Sequence, residues 1–332
     1  MMPGLINIHT HADEQCYDAN NKNRFVHMNE SVTLSARYLN DLIEEVSALL
    51  ESHSLSYGQG MQTALDEAAY LVSFVAGLPP DFDPQTDNKP LSNQGIVQIQ
   101  SHLQKRIFEH YPLAYLLGQT WLSGVRLKVN EHTLIPRSPI AELIRERFAP
   151  WWAGEPRRIL ELCTGSGCLG ILAALEFEQA QVDITDVDIQ ALEVARENIN
   201  QHALSGRVSV LTSDVYDQIP HKQYDIIIAN PPYVPLSEYA DLPAEFRHEP
   251  KHALFSGTDG LDIPKRILLG ATDYLAPRGI LILEVGQSAR SLQNEFPYHS
   301  FMWQDLVDGG EGVCVLTRNE CQLIYETEMK DR

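Results

Sequence analysis

Positive charge is what this chain has least of: 25 Lys and Arg stand against 45 Asp and Glu, a formal net charge of −20. Proteins that grip nucleic acid by neutralising phosphates need clustered cations, so the balance argues for cationic or neutral partners instead. Long apolar runs are missing too. No stretch approaches the roughly 20 apolar residues of a spanning helix, and the first thirty residues carry His, Asp, Glu and Asn where a secretory signal needs an apolar core. A cytoplasmic protein without membrane contact is expected. Cysteine is scarce: Cys16, Cys163, Cys168, Cys314 and Cys321 form an odd set without framework spacing, so reduced thiols and no disulfide are expected. What is present, 44% hydrophobic and 21% charged residues over 332 positions, suits a folded chain of two domains.

Residues 1–27 are polar and aperiodic and read as a disordered leader, with Met28 as an alternative start. His9 and His11 lack a third ligand at useful spacing, and no metal site is expected. Over residues 31–50, Leu34, Tyr38, Leu42, Val46 and Leu49 recur at three and four, the helical period. Further helices are expected over 61–75, closed by Gly77-Leu-Pro-Pro80, and over 96–108. Residues 28–118 thus read as a small helical domain, assigned to substrate recognition. Residues 119–135 read as a hairpin connector turning at Gly124. Ser138 is placed to cap a helix starting at Pro139, with Ile140, Leu143, Ile144 and Phe148 as its buried stripe.

In the remainder, residues 136–332, strands at 158–162, 182–185, 208–211, 224–229 and 279–284 alternate with helices at 168–177, 189–200 and 264–275. That order predicts an α/β fold with a doubly wound, Rossmann-like parallel sheet. Strands near 301–306 and 313–317, joined by Asp308-Gly-Gly-Glu-Gly312, predict a C-terminal antiparallel hairpin at the sheet edge.

The first strand of this part runs into Glu161-Leu-Cys163-Thr164-Gly165-Ser166-Gly167-Cys168-Leu-Gly170 and directly on to a helix. Glycines there let the backbone turn tightly and approach a ligand. The run also spells G-x-G-x-x-G with Asp186 about twenty residues on, so by pattern alone it fits a dinucleotide too. Glu161 at the strand end suits a cationic amino group and opposes a pyrophosphate, and Asp186 at the tip of the next strand suits the two hydroxyls of a ribose. A ligand with an ammonium, a sulfonium and a ribose fits this pocket better than NAD does, and S-adenosylmethionine is such a ligand. A salt bridge for Glu161 and a helix cap for Asp186 are the plain alternatives. Cys163 and Cys168 read as small packing residues. Asp214 is placed to accept an adenine amino group with Val215 beside the ring, or else is an ordinary loop carboxylate.

The most specific signal is Asn230-Pro231-Pro232-Tyr233, which ends the apolar strand Asp225-Ile-Ile-Ile-Ala229. Two prolines stiffen the turn and remove two backbone donors. The Asn230 side-chain oxygen and the Pro231 carbonyl can then accept both hydrogens of a planar NH₂ group, with Tyr233 against its flat face. Such a site suits methyl transfer to an amide or aminopyrimidine nitrogen, where positioning and acceptors for developing positive charge supply the acceleration. A strand-terminating turn is the bland alternative.

Taken with Leu134-Ile-Pro-Arg-Ser-Pro-Ile-Ala-Glu-Leu143, His248-Glu-Pro250 and Gly257-Thr-Asp-Gly-Leu261, these motifs resemble the PrmB-type N(5)-glutamine methyltransferases of ribosomal protein L-three, over roughly residues 30–317. The resemblance implies a class I methyltransferase fold and S-adenosyl-L-methionine as cofactor, leaving as S-adenosyl-L-homocysteine. It further implies that Cys163 to Gly167 wrap the methionine and ribose, that Asp186 takes the ribose and Val215 the adenine, and that Asn230, Pro231, Pro232 and Tyr233 hold the substrate glutamine. The sister group acting on peptide release factors typically has Gly at Cys163 and an Arg-Pro-Asp type sequence at Arg137-Ser-Pro-Ile140, so these two positions favour the ribosomal-protein branch. Two departures, Val187-Asp-Ile-Gln190 for the family's frequent Ile-Ser-Pro-Asp and Val215 for the sister group's stacking Trp, bear on adenine affinity.

Rival readings make different demands. A release factor methyltransferase would share the tetrapeptide. A DNA amino-methyltransferase would need a flipped base and a cationic groove, whereas residues 157–332 hold 14 Lys and Arg against 27 Asp and Glu. Only residues 101–147 turn positive, 7 against 4, which gives ribosomal RNA contact little support. An NAD-dependent oxidoreductase would leave Asn-Pro-Pro-Tyr idle, and a non-enzymatic binding module would leave the whole pocket idle. A basic ribosomal protein suits an acidic enzyme.

Overall fold

Helical periodicity gives way to strand-helix alternation near Arg158, and the structure, a computed structural model, changes character at the same place. It describes residues 31–79, 82–83, 86–307 and 309–330. The expected leader, His9, His11 and Cys16 lie outside the described residues.

Three helices, α1 (Leu39–Glu51), α2 (Ala64–Ala76) and α3 (Asn93–Phe108), pack together with the short α4 (Leu113–Leu117). Their stripes meet in one core that includes Leu42, Val46, Leu71, Ile99 and Leu103. Helix α2 starts at a capping box: the Thr63 hydroxyl accepts the Asp66 N–H at 3.1 Å and the Asp66 carboxylate accepts the Thr63 N–H at 3.1 Å. Helix α1 starts later than its periodicity predicts. The Glu45 carboxylate accepts the N–H groups of Ser35 at 2.9 Å and Ala36 at 2.8 Å, which holds that stretch extended across α1 and leaves Tyr38 exposed while Leu34 stays buried.

The hairpin β1 (Gln119–Leu122) and β2 (Val125–Lys128) follows, then α5 (Ile140–Arg145). Ser138 does not cap α5 as expected. Its hydroxyl donates to Glu284 at 2.5 Å and only accepts a long 3.3 Å bond from Ile140 N–H. Phe148 is buried but lies past the helix end, in the left-handed region, stacked on Phe177 at 5.8 Å.

The large sheet contains β3 (Arg158–Leu162), β4 (Gln181–Asp186), β5 (Val208–Thr212), β6 (Tyr224–Ala229), β7 (Leu275–Glu284), β8 (Met302–Trp303) and β9 (Val313–Thr317) in the order β5-β4-β3-β6-β7-β9-β8. The first five pair in parallel, and β9 runs antiparallel to both β7 and β8. Helices α6 (Cys168–Glu176), α7 (Ile189–Gln201) and α9 (Asp262–Tyr274) cover it, with the short α8 (Lys251–Leu254) and α10 (Ala289–Glu295) at its rim. Alternating side chains put Ile159, Ile226 and Ile228 in the core on one face and Leu160, Leu162 and Ile227 in the core on the other. The chain winds outward from β3 through β4 and β5, then returns to place β6 on the opposite side of β3. Sheets of this kind bind ligands at that reversal, beyond the strand C-termini. The final helix α11 (Arg318–Lys330) was not expected. Its start was nonetheless written in Thr317-Arg-Asn-Glu320, whose Glu320 carboxylate accepts the Thr317 N–H at 2.7 Å.

The helical part is tied to the segment after Asn-Pro-Pro-Tyr by buried ions. Arg106, 2% exposed, donates to Glu67 at 2.8 Å, to Glu245 at 3.0 Å and to the Ser56 carbonyl at 2.8 Å. Removing a buried cation strands its carboxylates, which costs more than the pair contributes. Arg106→Ala should therefore lower unfolding stability by about 3–5 kcal/mol, read as a reduced urea midpoint; an unchanged midpoint would contradict this account.

Candidate active site

Strand register decides which loops meet. In the β3·β6 pairing Leu162 lies opposite Ala229, so the glycine run that begins at Cys163 and the tetrapeptide that begins at Asn230 leave the sheet side by side. Between them lies a cavity of about 330 Å³. Its wall brings together Glu161, Cys163, Thr164, Gly165, Ser166, Asp186, Asp214, Val215, Asn230 and Pro232. Gly167 sits behind that wall. It ends the turn at φ 83° as the residue preceding α6, and a side chain there would press on Ala195 and Ile184 at 3.2 and 3.3 Å.

Each predicted carboxylate is found in a defined setting. Glu161 is 1% exposed, and its Oε2 accepts the Thr164 hydroxyl and, at 2.9 Å, the Gly170 N–H. It therefore holds both ends of the glycine turn while facing the cavity. Burial pushes its carboxyl up to about 8, against the pull of those two bonds. Asp186 accepts the Gly165 N–H at 2.8 Å and the Asp188 N–H at 3.0 Å, and burial raises its pKa above the usual carboxylate range. The cap of α7 is Asp188 and not Asp186, through the Gln190 N–H at 2.8 Å. Asp214 is half exposed and pairs with Arg266 at 2.8 Å, a cavity residue that sequence reasoning missed. Cys163 and Val215 both sit in the left-handed region, at φ 56° and 52°, a strained conformation for residues with a Cβ, of a kind that clusters at ligand sites. The Cys163 and Cys168 thiols are raised by burial and stay protonated, in keeping with packing residues.

Pro231 and Tyr233 line a second cavity, of about 540 Å³, with Arg137, Phe246, Glu284, Gly286 and Ser288. Asn230 belongs to both cavities. Among the described residues neither its side chain nor the Pro231 carbonyl makes a hydrogen bond, so both acceptors are available. The Tyr233 carbonyl is taken by the Ser288 hydroxyl at 2.7 Å. Its ring lies against Gly286, where a Cβ would fall 2.6 Å from a ring carbon.

The segment from Val234 to Gly257 closes into a loop, with the Val234 N–H donating to Leu254 at 2.8 Å and the Ser256 N–H to Val234 at 3.1 Å. Arg137 clamps it, binding Glu249 through two bonds of 2.7 and 2.9 Å while resting over the Phe246 ring. Gln59, from the helical part, donates to the same carboxylate. The Arg137–Glu249 pairing was not anticipated, although the arginine preceding Ser-Pro and the glutamate of His248-Glu-Pro250 were its readable signal.

No group of His, Cys, Asp and Glu among the described residues could hold a metal ion, and no described helix is long and apolar enough to cross a membrane.

Because burial raises Glu161 in the folded state, the stability it contributes is fully present below its unfolded pKa and is lost as pH rises through about 8. Glu161→Gln keeps an acceptor for Thr164 and Gly170 but cannot ionise. Its melting temperature should fall less than that of the wild type between pH 6 and pH 9, as scanning calorimetry can measure; parallel curves would refute the buried setting. Gly286→Ala should displace the Tyr233 ring and cut turnover, checked by steady-state kinetics.

Residues 143–258 match the family described as methyltransferase small domain. A ribosomal protein uL3 glutamine methyltransferase of Bordetella pertussis is 40% identical over 285 residues, 85% of this chain and 95% of the relative. One of Francisella tularensis is 38% identical over 284 residues, 85% of this chain and 90% of the relative. A crystal structure of a methyltransferase from Pyrococcus furiosus aligns with a TM-score of 0.44 at 21% identity, over 59% of this chain and 90% of that one. By identity and by coverage, the chain belongs to the ribosomal protein uL3 glutamine methyltransferases.

Proposed function

We propose that the protein transfers a methyl group from S-adenosylmethionine to the side-chain amide nitrogen of a glutamine in the large-subunit ribosomal protein uL3. The observation that carries this reading is that Asn230 lines two adjoining cavities at once. The cofactor's chemistry is a methyl group on a sulfonium. The donor set of the smaller cavity fits it, since Glu161 and Asp186 supply carboxylates for an ammonium and a ribose while the Val215 wall is apolar. Pairing an ammonium with Glu161 would favour the carboxylate form and draw a proton off it.

In the larger cavity Asn230 and the Pro231 carbonyl accept the two amide hydrogens, and Tyr233 bounds the face of the amide. These acceptors align the nitrogen with the methyl group and favour the positive charge that develops on it. The helical part, bound to the Val234–Gly257 loop through Arg106, Gln59 and Ser56, is assigned to substrate selection, and residues 136–332 to the methyl transfer. The net charge of −20 suits a strongly basic protein substrate and repels DNA. The cytoplasm, where ribosomal proteins are made, is the matching compartment. A release factor substrate is disfavoured by Cys163 and by Arg137-Ser-Pro.

Incubation with methyl-labelled cofactor and uL3 lacking the modification should place label on one glutamine; label on a release factor or on DNA, or no label, would overturn the proposal. Asn230→Ala should bind the cofactor normally and lose about 10²–10³ in kcat, the scale of removing one preorganised polar contact. Full activity in that variant would remove Asn230 from its role.

A further inference from the structure

Strand β7 ends in an apolar run closed by a carboxylate: Ile280-Leu-Ile-Leu283 leads to Glu284, 4% exposed. The methyl transfer outlined above makes no use of this group. A buried carboxyl is costly unless its oxygens are satisfied, and here both are. Oε2 accepts the Ser138 hydroxyl at 2.5 Å and Oε1 accepts the Tyr233 hydroxyl at 3.2 Å. The two donors come from segments far apart in sequence, one leading into α5 and one within the tetrapeptide, and Glu284 is where they meet.

Tyr233 is consequently held on three sides. Its carbonyl is fixed by Ser288 at 2.7 Å, its ring rests on the bare backbone of Gly286, and its hydroxyl is tethered by Glu284. Asn-Pro-Pro already constrains the backbone, so the one remaining freedom is the swing of the ring about its side-chain torsions. The Glu284 bond removes it. Arg137 lines the same cavity but is engaged with Glu249, so it does not compete for the tether.

We infer that Glu284 is a positioning residue, which through the hydroxyls of Ser138 and Tyr233 locks the tyrosine ring against the amide that Asn230 receives. This rests on reading the larger cavity as the glutamine site. Misplacing a group by about 1 Å can cost 10²-fold in rate, so loss of the tether is read in kcat and not in cofactor binding.

The test is a double-mutant cycle on Tyr233→Phe and Glu284→Ala, following transfer of labelled methyl to uL3 with cofactor affinity measured by calorimetry. Each single change should lower kcat about 10- to 100-fold with the protein KM and the cofactor Kd within about 2-fold, and the double variant should be no slower than the worse single. Glu284→Gln, which keeps an acceptor for Tyr233 and offers an NH₂ to Ser138, should recover most of the turnover lost with alanine. Should Glu284→Ala fail to fold, Ser138→Ala takes its place, slowing kcat alone but adding nothing when combined with Tyr233→Phe. Multiplying losses in the double variant, or full turnover in Glu284→Ala, overturn the inference. So does an inactive Glu284→Gln that binds cofactor normally, which would make the ionised carboxylate itself essential. A wild type that leaves uL3 unlabelled sinks the glutamine reading; an active wild type with an additive cycle sinks only the tether.

Discussion

The parallel pairing of β3 with β6, Leu162 opposite Ala229, is the constraint on which the rest of this molecule depends. It is set by nothing more specific than apolar side chains filling both faces of a covered sheet, Ile159 and Ile226 on one side and Leu160 and Ile227 on the other. Yet it aligns the ends of two strands to the residue, so that a glycine turn and a proline turn leave from adjacent points. Slipping the register by one residue would turn each side chain to the opposite face of the sheet, and the packing on both faces opposes that slip. Chemistry at the strand ends thus inherits its precision from packing.

A second layer of order comes from ions placed where water is scarce. Arg106 sits among Glu67, Glu245 and the Ser56 carbonyl, and Arg137 grips Glu249 in a two-point contact. Both act on the stretch that follows the tetrapeptide. That stretch has little regular structure, only the short helical turns Leu236–Glu238 and Ala244–His248 before α8. Its shape is imposed from outside, by the helical part on one flank and by the residues ahead of α5 on the other. Buried ion pairs are weak sources of net stability but strongly penalise misplacement, which suits a loop that bounds a cavity.

Much of this was legible in sequence, for identifiable reasons. Strand-helix alternation after Arg158 gave the sheet and its switch point, because that alternation admits few topologies. The Glu161 run, Asp186 and Asn-Pro-Pro-Tyr were readable because glycine, proline and terminal carboxylates mark strand ends locally. What escaped was nonlocal or ambiguous. Helix α1 begins late because Glu45 captures two N–H groups ten and nine residues earlier, and Ser138 fails to cap because Glu284 takes its hydroxyl from 146 residues away. Asp214 looked like a free acceptor because Arg266, its partner, lies 52 residues on. Glu284 closes its apolar strand and Glu161 lies one residue before the end of its own, so both read as acids near a strand end and only their neighbours distinguish them. The start of α11 is marked locally by the capping box of Thr317 and Glu320.

Because Asn230 lines two distinct cavities, filling one does not require emptying the other. On the proposed function, the methyl group would pass directly across that shared lining, with no residue asked to carry it between half-reactions. On that same reading, such an arrangement implies sequential kinetics, with both ligands bound before the transfer.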